Sequence, residues 1–72
     1  MKFILAEDGC YYNPDKIVLL SRETLGSVGE KGYCEALYAI FVGTGYITLF
    51  SSTNVPFGVD KYLKEHDLEM VK

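Results

Sequence analysis

The chain has 72 residues, enough for one small domain, and 49% of them are hydrophobic, which excludes a disordered composition. The net charge is −3, with 7 basic and 10 acidic residues. The basic residues form no run, which argues against nucleic-acid binding, because phosphate neutralisation supplies most of that affinity. No apolar run reaches the length of a signal peptide or a membrane span, so we expect a cytoplasmic protein with reduced thiols.

The residues that could carry chemistry are few: Cys10, Cys34 and His66. Zinc sites usually contain closely spaced pairs of cysteine or histidine, and this chain has none, so no metal or cofactor is predicted. A cysteine with His66 is the one conceivable nucleophile and base, but neither cysteine lies in a motif. We therefore predict a non-enzymatic protein with free thiols; a Cys10–Cys34 disulfide is the alternative.

The first third of the chain predicts three short strands. Residues 2–6 and 10–12 are mostly apolar or aromatic and flank Asp8-Gly9, a strong hairpin-turn signal. Asn13-Pro14-Asp15 predicts a break, because proline fixes φ and lacks an N–H. Residues 16–21 predict a third strand. Residues 22–33 hold three glycines and predict a loop that is either mobile or functional.

Residues 34–42 and 46–51 predict two strands around Gly43-Thr44-Gly45. The glycine pair raises the question of a phosphate-binding loop. A Walker loop needs a lysine after its last glycine, and a dinucleotide fingerprint needs a third glycine and a following helix. This segment has none of them, so we predict a hairpin turn, with Gly43-Thr44 as the centre of a type II′ turn.

The C-terminal segment predicts one helix. Residues 51–54 offer side chains that could cap its start, and Pro56 fits a first helical turn. The predicted buried face has helical spacing and comprises Val55, Val59, Tyr62 and Leu63. Residues 68–71 alternate in polarity and predict a short terminal strand; the alternative is that the helix continues and frays.

Both faces of the predicted hairpin are largely apolar. A two-residue turn places Leu37, Ala39 and Phe41 on one face with Tyr46, Thr48 and Phe50, whereas a three-residue turn exchanges the partners. An antiparallel sheet with one wet face should alternate apolar and polar residues, so we expect both faces to be covered. The candidate interaction surface is aromatic and consists of Tyr38, Phe41, Tyr46 and Phe50. The alternative is that the tyrosines lie at an ordinary surface with wet hydroxyls.

The segment DGCYYNPDKIVLLS resembles the start of the small flagellar FlbD family, in which a glycine turn and a strand precede an Asn-x-Asp-x-Ile pattern. The matching residues are Asp8, Gly9, Asn13, Asp15 and Ile17. The resemblance implies a β-meander followed by a short helix and a non-enzymatic accessory role. The chain departs from the family in its insertion at 22–33 and in its more aromatic last hairpin.

Together these patterns predict an α+β domain over residues 1–72, with a small antiparallel sheet or partly open barrel and one C-terminal helix. The predicted function is a non-catalytic protein-interaction module that forms a homodimer through its aromatic hairpin. One alternative is a small inhibitor from a mobile element that occludes a host protein. The other is a weak single-strand nucleic-acid binder that stacks bases on its tyrosines.

Overall fold

The computed structural model describes residues 3–70. Its elements, in chain order, are β1 (Ile4–Leu5), β2 (Tyr11–Tyr12), a 3₁₀ turn (Pro14–Lys16), β3 (Ile17–Leu25), β4 (Cys34–Phe41), β5 (Tyr46–Thr53) and α1 (Gly58–Glu65). The strands form two antiparallel sheets, β1-β2 and β3-β4-β5. The predicted α+β class with an open antiparallel sheet and one C-terminal helix is confirmed.

The N-terminal hairpin turns where the sequence predicts. Gly9 has φ of 85°, and the Ala6 amide donates to the carbonyl of Cys10 at 2.9 Å. The carboxylate of Asp8 accepts from the Cys10 amide at 2.9 Å and from the Tyr12 hydroxyl at 2.7 Å. The hydrogen bond from Tyr12 holds the pKa of Asp8 below its usual value, and the same bond raises the pKa of Tyr12 to about 12. These polar contacts fix a hairpin whose strands are only two residues long.

β3 is longer than the sequence predicts, because it continues to Leu25 through residues assigned to the loop at 22–33. Residues 22–25 pair with residues 34–37 of β4, from Arg22 with Leu37 to Leu25 with Cys34. This pairing with a distant strand makes the polar segment a strand, which its own sequence does not predict. Only residues 26–33 connect β3 to β4. A bulge between Ile17 and Leu19 inserts Val18 near the other end of the strand.

The β4–β5 hairpin confirms the predicted turn but not its type. The Thr44 amide donates to the carbonyl of Phe41 at 3.0 Å, which makes Val42 and Gly43 the central residues. Gly43 has φ of 84°, and Gly45 has no positive φ. The Thr44 hydroxyl closes the loop by donating to the carbonyl of Phe41 at 3.1 Å. The glycines therefore serve backbone geometry, with Gly43 as the second central residue.

A bulge in β5 decides which residues face inward. Leu37 pairs with Phe50 but Tyr38 pairs with Thr48, so Leu49 is an extra residue, and both Leu49 and Phe50 contact the core. Ala39 pairs with Ile47. The faces predicted from a two-residue turn are therefore wrong near the tip, where Ile47 replaces Tyr46 and Thr48 as the inward residue.

α1 is shorter than predicted and is capped differently. Its N-cap is Phe57 at φ of 63°, without a side-chain hydrogen bond from the N-cap residue, and Pro56 precedes the helix. Val59, Tyr62 and Leu63 are buried as predicted, whereas Val55 is exposed. The predicted terminal strand is wrong for Leu68 to Met70, which form neither strand nor helix, and Val71 lies outside the described residues.

The core lies between the inner face of the large sheet and two separate covers. Its sheet residues include Leu37, Ala39, Phe41 and Leu49. α1 packs on β4 and β5. The N-terminal hairpin is the second cover: Ile4 and Ala6 are buried, and the Tyr12 ring stacks on Phe41 with centroids 4.7 Å apart. The outer face of the sheet thus stays open to solvent along residues 3–70.

Candidate interaction surface and the buried Glu35

The outer face of the β3-β4-β5 sheet is built from four cross-strand rows. The side chains of β4 alternate strictly, so Cys34, Ala36, Tyr38 and Ile40 point outward and remain partly exposed. The register adds their neighbours on β3 and β5, which gives the rows Leu19–Ile40–Tyr46, Ser21–Tyr38–Thr48, Glu23–Ala36–Ser51 and Leu25–Cys34–Thr53. Glu23 is the single charged residue in these rows.

The apolar part of this face lies at the end nearest the β4–β5 turn. Leu19 and Tyr46 flank Ile40, and Tyr46 is 62% exposed. Tyr38 meets Tyr46 edge to face, with ring centroids 6.3 Å apart and planes at 82°. Val42, at the turn, is 69% exposed. We call Leu19, Tyr38, Ile40, Val42 and Tyr46 the outer patch. It is an uncharged apolar surface without a cover in residues 3–70.

The four residues of the sequence-predicted interaction surface do not share one face. Tyr38 and Tyr46 lie together in the outer patch. Phe41 is 4% exposed and belongs to the core, stacked on Tyr12. Phe50 also points inward, and its ring lies 5.4 Å from that of Tyr62 on α1. The alternation of β4 separates Phe41 from Tyr38, and the bulge in β5 separates Phe50 from Tyr46.

The inner face holds a buried carboxylate that sequence reasoning missed. Glu35 is 2% exposed. Its Oε2 accepts hydrogen bonds from the Tyr33 hydroxyl at 2.5 Å and the Phe57 amide at 2.8 Å, and its Oε1 accepts one from the Val59 amide at 2.9 Å. These two amides lie at the start of α1, where backbone N–H groups lack helical partners. Glu35 therefore caps the helix from a strand, in place of an N-cap side chain.

The electrostatics agree with this role. Burial raises the pKa of Glu35, but the hydrogen bonds from Tyr33, Val59 and Phe57 outweigh it and hold the pKa below its usual value. The same hydrogen bond raises the pKa of Tyr33. A carboxylate that stays ionised with both oxygens occupied is suited to holding a helix end and poorly suited to accepting a proton.

A signal for Glu35 was present in the sequence. In CEALYAIF, Glu35 stands in phase with Leu37, Ala39 and Phe41, so period-2 alternation places a charge on the buried face. A buried carboxylate needs hydrogen-bond donors. Its donors at 57 and 59 are more than 20 residues away in the chain, at separations of 22 and 24. No local pattern links them, which explains the error.

The residues considered for catalysis or metal binding show no common site. Both cysteines are free; the Cys34 sulfur donates to the carbonyl of Gly32 at 3.3 Å, and Cys10 is exposed. The ring of His66 packs on Tyr62, with centroids 4.3 Å apart. Within residues 3–70, no three His, Cys, Asp or Glu side chains are grouped so as to hold a metal ion. In the same range, no helix has the length and apolarity to cross a bilayer.

Comparison with known proteins finds no matching family model, no matching curated protein and no matching solved structure. The resemblance to the FlbD family therefore stays a prediction.

Proposed function

We propose that this protein is a non-catalytic interaction module that self-associates through the outer patch. The observation that carries the proposal is the row Leu19–Ile40–Tyr46, which crosses all three strands without a charged residue and has no cover among residues 3–70. Apolar surface that is contiguous and uncovered marks interaction sites more often than scattered apolar residues do. Aromatic residues such as Tyr38 and Tyr46 are enriched in such interfaces.

A second copy of the chain suits this surface because it brings no like charges to the apolar row. The acidic residues that give the chain its net charge of −3 lie elsewhere, with Glu23 as the exception on this face. A two-fold axis near Ile40 would pack the row Leu19–Ile40–Tyr46 of one copy against the same row of the other copy. Each Glu23 would then lie toward the edge of the interface. The free cysteines are compatible with a reducing compartment, so the proposal places the dimer in the cytoplasm.

The size of the face sets the expected affinity. Eight residues on each of three neighbouring strands present an area of about 26 Å by 14 Å. This is smaller than the ~800 Å² per partner of a standard interface, so we expect a weak dimer with a dissociation constant in the micromolar range. The alternative is that a different protein covers the outer patch. In that case the isolated chain should be a monomer.

Sedimentation equilibrium over roughly 1 μM to 1 mM protein tests the proposal. The chain should show a monomer–dimer equilibrium, and Tyr46→Glu should weaken it at least about tenfold, because a charge would be buried in the interface. Val28→Glu is the matched control: Val28 is exposed in the β3–β4 connection, and its substitution changes the net charge equally. A monomer at every concentration, or an equal effect of both variants, would refute self-association through this patch.

A further inference from the structure

The open edge of β3 lies beside a groove on the inner side of the molecule, away from the outer patch. β3 pairs with β4 alone. Apart from the Ile17 amide, which donates to the carbonyl of Pro14, none of the other hydrogen bonds in residues 3–70 involves the backbone of residues 17–25. One row of its N–H and C=O groups is therefore free to pair with another strand. β5 differs, because Glu7 blocks its edge: the Glu7 amide donates to the carbonyl of Thr48 at 3.0 Å, and its carboxylate accepts from the Ser51 amide at 3.0 Å.

α1 packs on β4 and β5, and the groove lies beside the start of β3, where Ile17 is half-buried and Leu20 is buried. The groove has a volume of about 680 Å³ and runs between β3 and the segment that follows α1. Its floor is apolar, with Ile4, Ile17, Leu20 and Leu68. Its rim carries four carboxylates and one imidazole, from Asp15, Glu65, His66, Asp67 and Glu69. Among residues 3–70, no lysine or arginine lines the groove.

We propose that the β3 edge and this groove together bind an extended basic segment of a partner protein, in which basic and apolar side chains alternate. A strand paired with β3 points alternate side chains to the inner and outer sides of the sheet. On the inner side, lysine or arginine lays its methylene stem over the apolar floor and places its charge at the acidic rim. On the outer side, apolar side chains cover Val18, which is 64% exposed.

The charges favour this occupant over an acidic or a neutral one. Glu65, Asp67 and Glu69 follow one another within five residues, and Asp15 lines the same groove. The C-terminal end of α1 adds the partial negative charge of its carbonyl groups. Backbone pairing with β3 supplies affinity independent of sequence, whereas the floor and rim select the alternating basic pattern.

The probe is a blocked, fluorescent peptide of about six residues, matched to β-strand length, with alternating valine and lysine. Two control peptides replace lysine by glutamate, or place a proline at the centre to prevent pairing. Fluorescence anisotropy should give a dissociation constant below about 1 mM for the valine–lysine peptide alone. The affinity should fall in high salt. Equal binding of either control peptide, or no binding up to about 1 mM, would overturn the proposal.

Protein variants locate the site. Glu65→Gln with Glu69→Gln should weaken binding about three- to tenfold, the effect of losing two partly exposed ion pairs. The control, Val28→Lys with Glu30→Gln, changes the net charge equally at exposed residues of the β3–β4 connection that do not line the groove, and it should leave the affinity unchanged. The amides of β3 should gain protection from hydrogen exchange on binding. Unprotected β3 amides, or equal effects of the two double variants, would overturn the site.

This proposal is independent of self-association. The Tyr46→Glu variant, altered only in the outer patch, should bind the peptide with the affinity of the unaltered protein. Loss of peptide binding in this variant would show that the groove depends on the dimer and would overturn the assignment to a single chain.

Discussion

The substitution Glu35→Gln tests the central contact of the fold. It keeps the size of the side chain and removes the charge. Glutamine can still accept the Val59 amide at Oε1, but its NH₂ group takes the place of Oε2, where the Phe57 amide and the Tyr33 hydroxyl now donate. The hydroxyl can rotate to accept, whereas the Phe57 amide faces another donor and loses its partner.

The expected loss follows from these contacts. Hydrogen bonds to a charged group contribute about 1.5–3 kcal/mol, and a buried donor without a partner costs about 1–3 kcal/mol. The hydrogen bonds that remain, from the Val59 amide and with the Tyr33 hydroxyl, offset part of this loss. We therefore expect Glu35→Gln to lower the free energy of unfolding by about 2–4 kcal/mol. A domain of 72 residues has a free energy of unfolding of roughly 4–11 kcal/mol, so this loss is a large fraction of the total.

Urea unfolding followed by circular dichroism measures this loss, with Glu23→Gln as the control. Glu23 lies on β3 and is exposed on the outer face, so the same chemical change there should stay within about 0.5 kcal/mol. Tyr33→Phe should be intermediate, because it removes one donor and leaves both amides paired. Equal effects of Glu35→Gln and Glu23→Gln would refute the idea that Glu35 holds the helix.

The pH dependence gives an independent check. The pKa of Glu35 is lowered from 4.5 by folding, so its contribution is complete above that value and is lost as pH falls through the folded pKa. The unaltered protein should therefore lose stability faster below about pH 4.5 than Glu35→Gln does. Asp8 and Asp60 also have lowered pKa values, but both proteins share them, and their effect cancels in the difference.

Three further substitutions have defined outcomes in the same unfolding assay. The hydroxyl of Tyr62 is buried without a hydrogen-bond partner in residues 3–70, so Tyr62→Phe should be neutral or stabilising by up to about 1–2 kcal/mol. A clear loss of stability would show that the hydroxyl has a hydrogen-bond partner. Gly43→Ala should lower the free energy of unfolding by about 1–2 kcal/mol because residue 43 has a φ of 84°, whereas Gly45→Ala should be close to neutral. An added Cβ meets nothing within 4 Å at either position, so the backbone conformation alone makes the difference, and equal losses would contradict this prediction. Arg22 and Asp60 form a bidentate ion pair at 2.9 and 3.1 Å. A double-mutant cycle with Arg22→Met and Asp60→Asn should give a coupling energy of about 1 kcal/mol or less, which falls in high salt. A larger coupling energy that does not depend on salt would contradict a partly exposed pair.

The sequence was sufficient for features that depend on neighbouring residues. Asp8-Gly9 identified a turn, Pro14 a break, and the spacing of Val59, Tyr62 and Leu63 the buried helical face. The errors arose where distant segments decide the structure. The polar end of β3 is a strand because β4 pairs with it. Tyr46 and Thr48 lie on the opposite face from Phe50 because of a bulge that alternation cannot reveal.

The same limit applied to the candidate surface. Because both faces of the predicted hairpin are largely apolar, we expected each face to be covered, and the single predicted helix could cover only one. The N-terminal hairpin, whose strands are too short to form a stable sheet alone, is a further cover, but it lies on the same inner face as α1, and the outer face has no cover in residues 3–70. Tyr12 of the N-terminal hairpin stacks on Phe41, which moves Phe41 from the predicted surface into the core.

The division of the inner face between two covers also explains where the molecule stays open. A helix of eight residues is about 12 Å long, whereas a strand of eight residues spans about 26 Å, so α1 covers less than half of the sheet lengthwise. Glu35 fixes α1 at one end of β4, and Tyr12 fixes the hairpin at the other end, over Phe41. The groove lies between these two fixed points, at the start of β3, where Ile17 lines it together with Ile4 from β1 and Glu65 at the end of α1. The position of Glu35 on β4 thus sets both the place of the helix and the place of the opening, so a variant that releases α1 should alter peptide binding at the groove as well as stability.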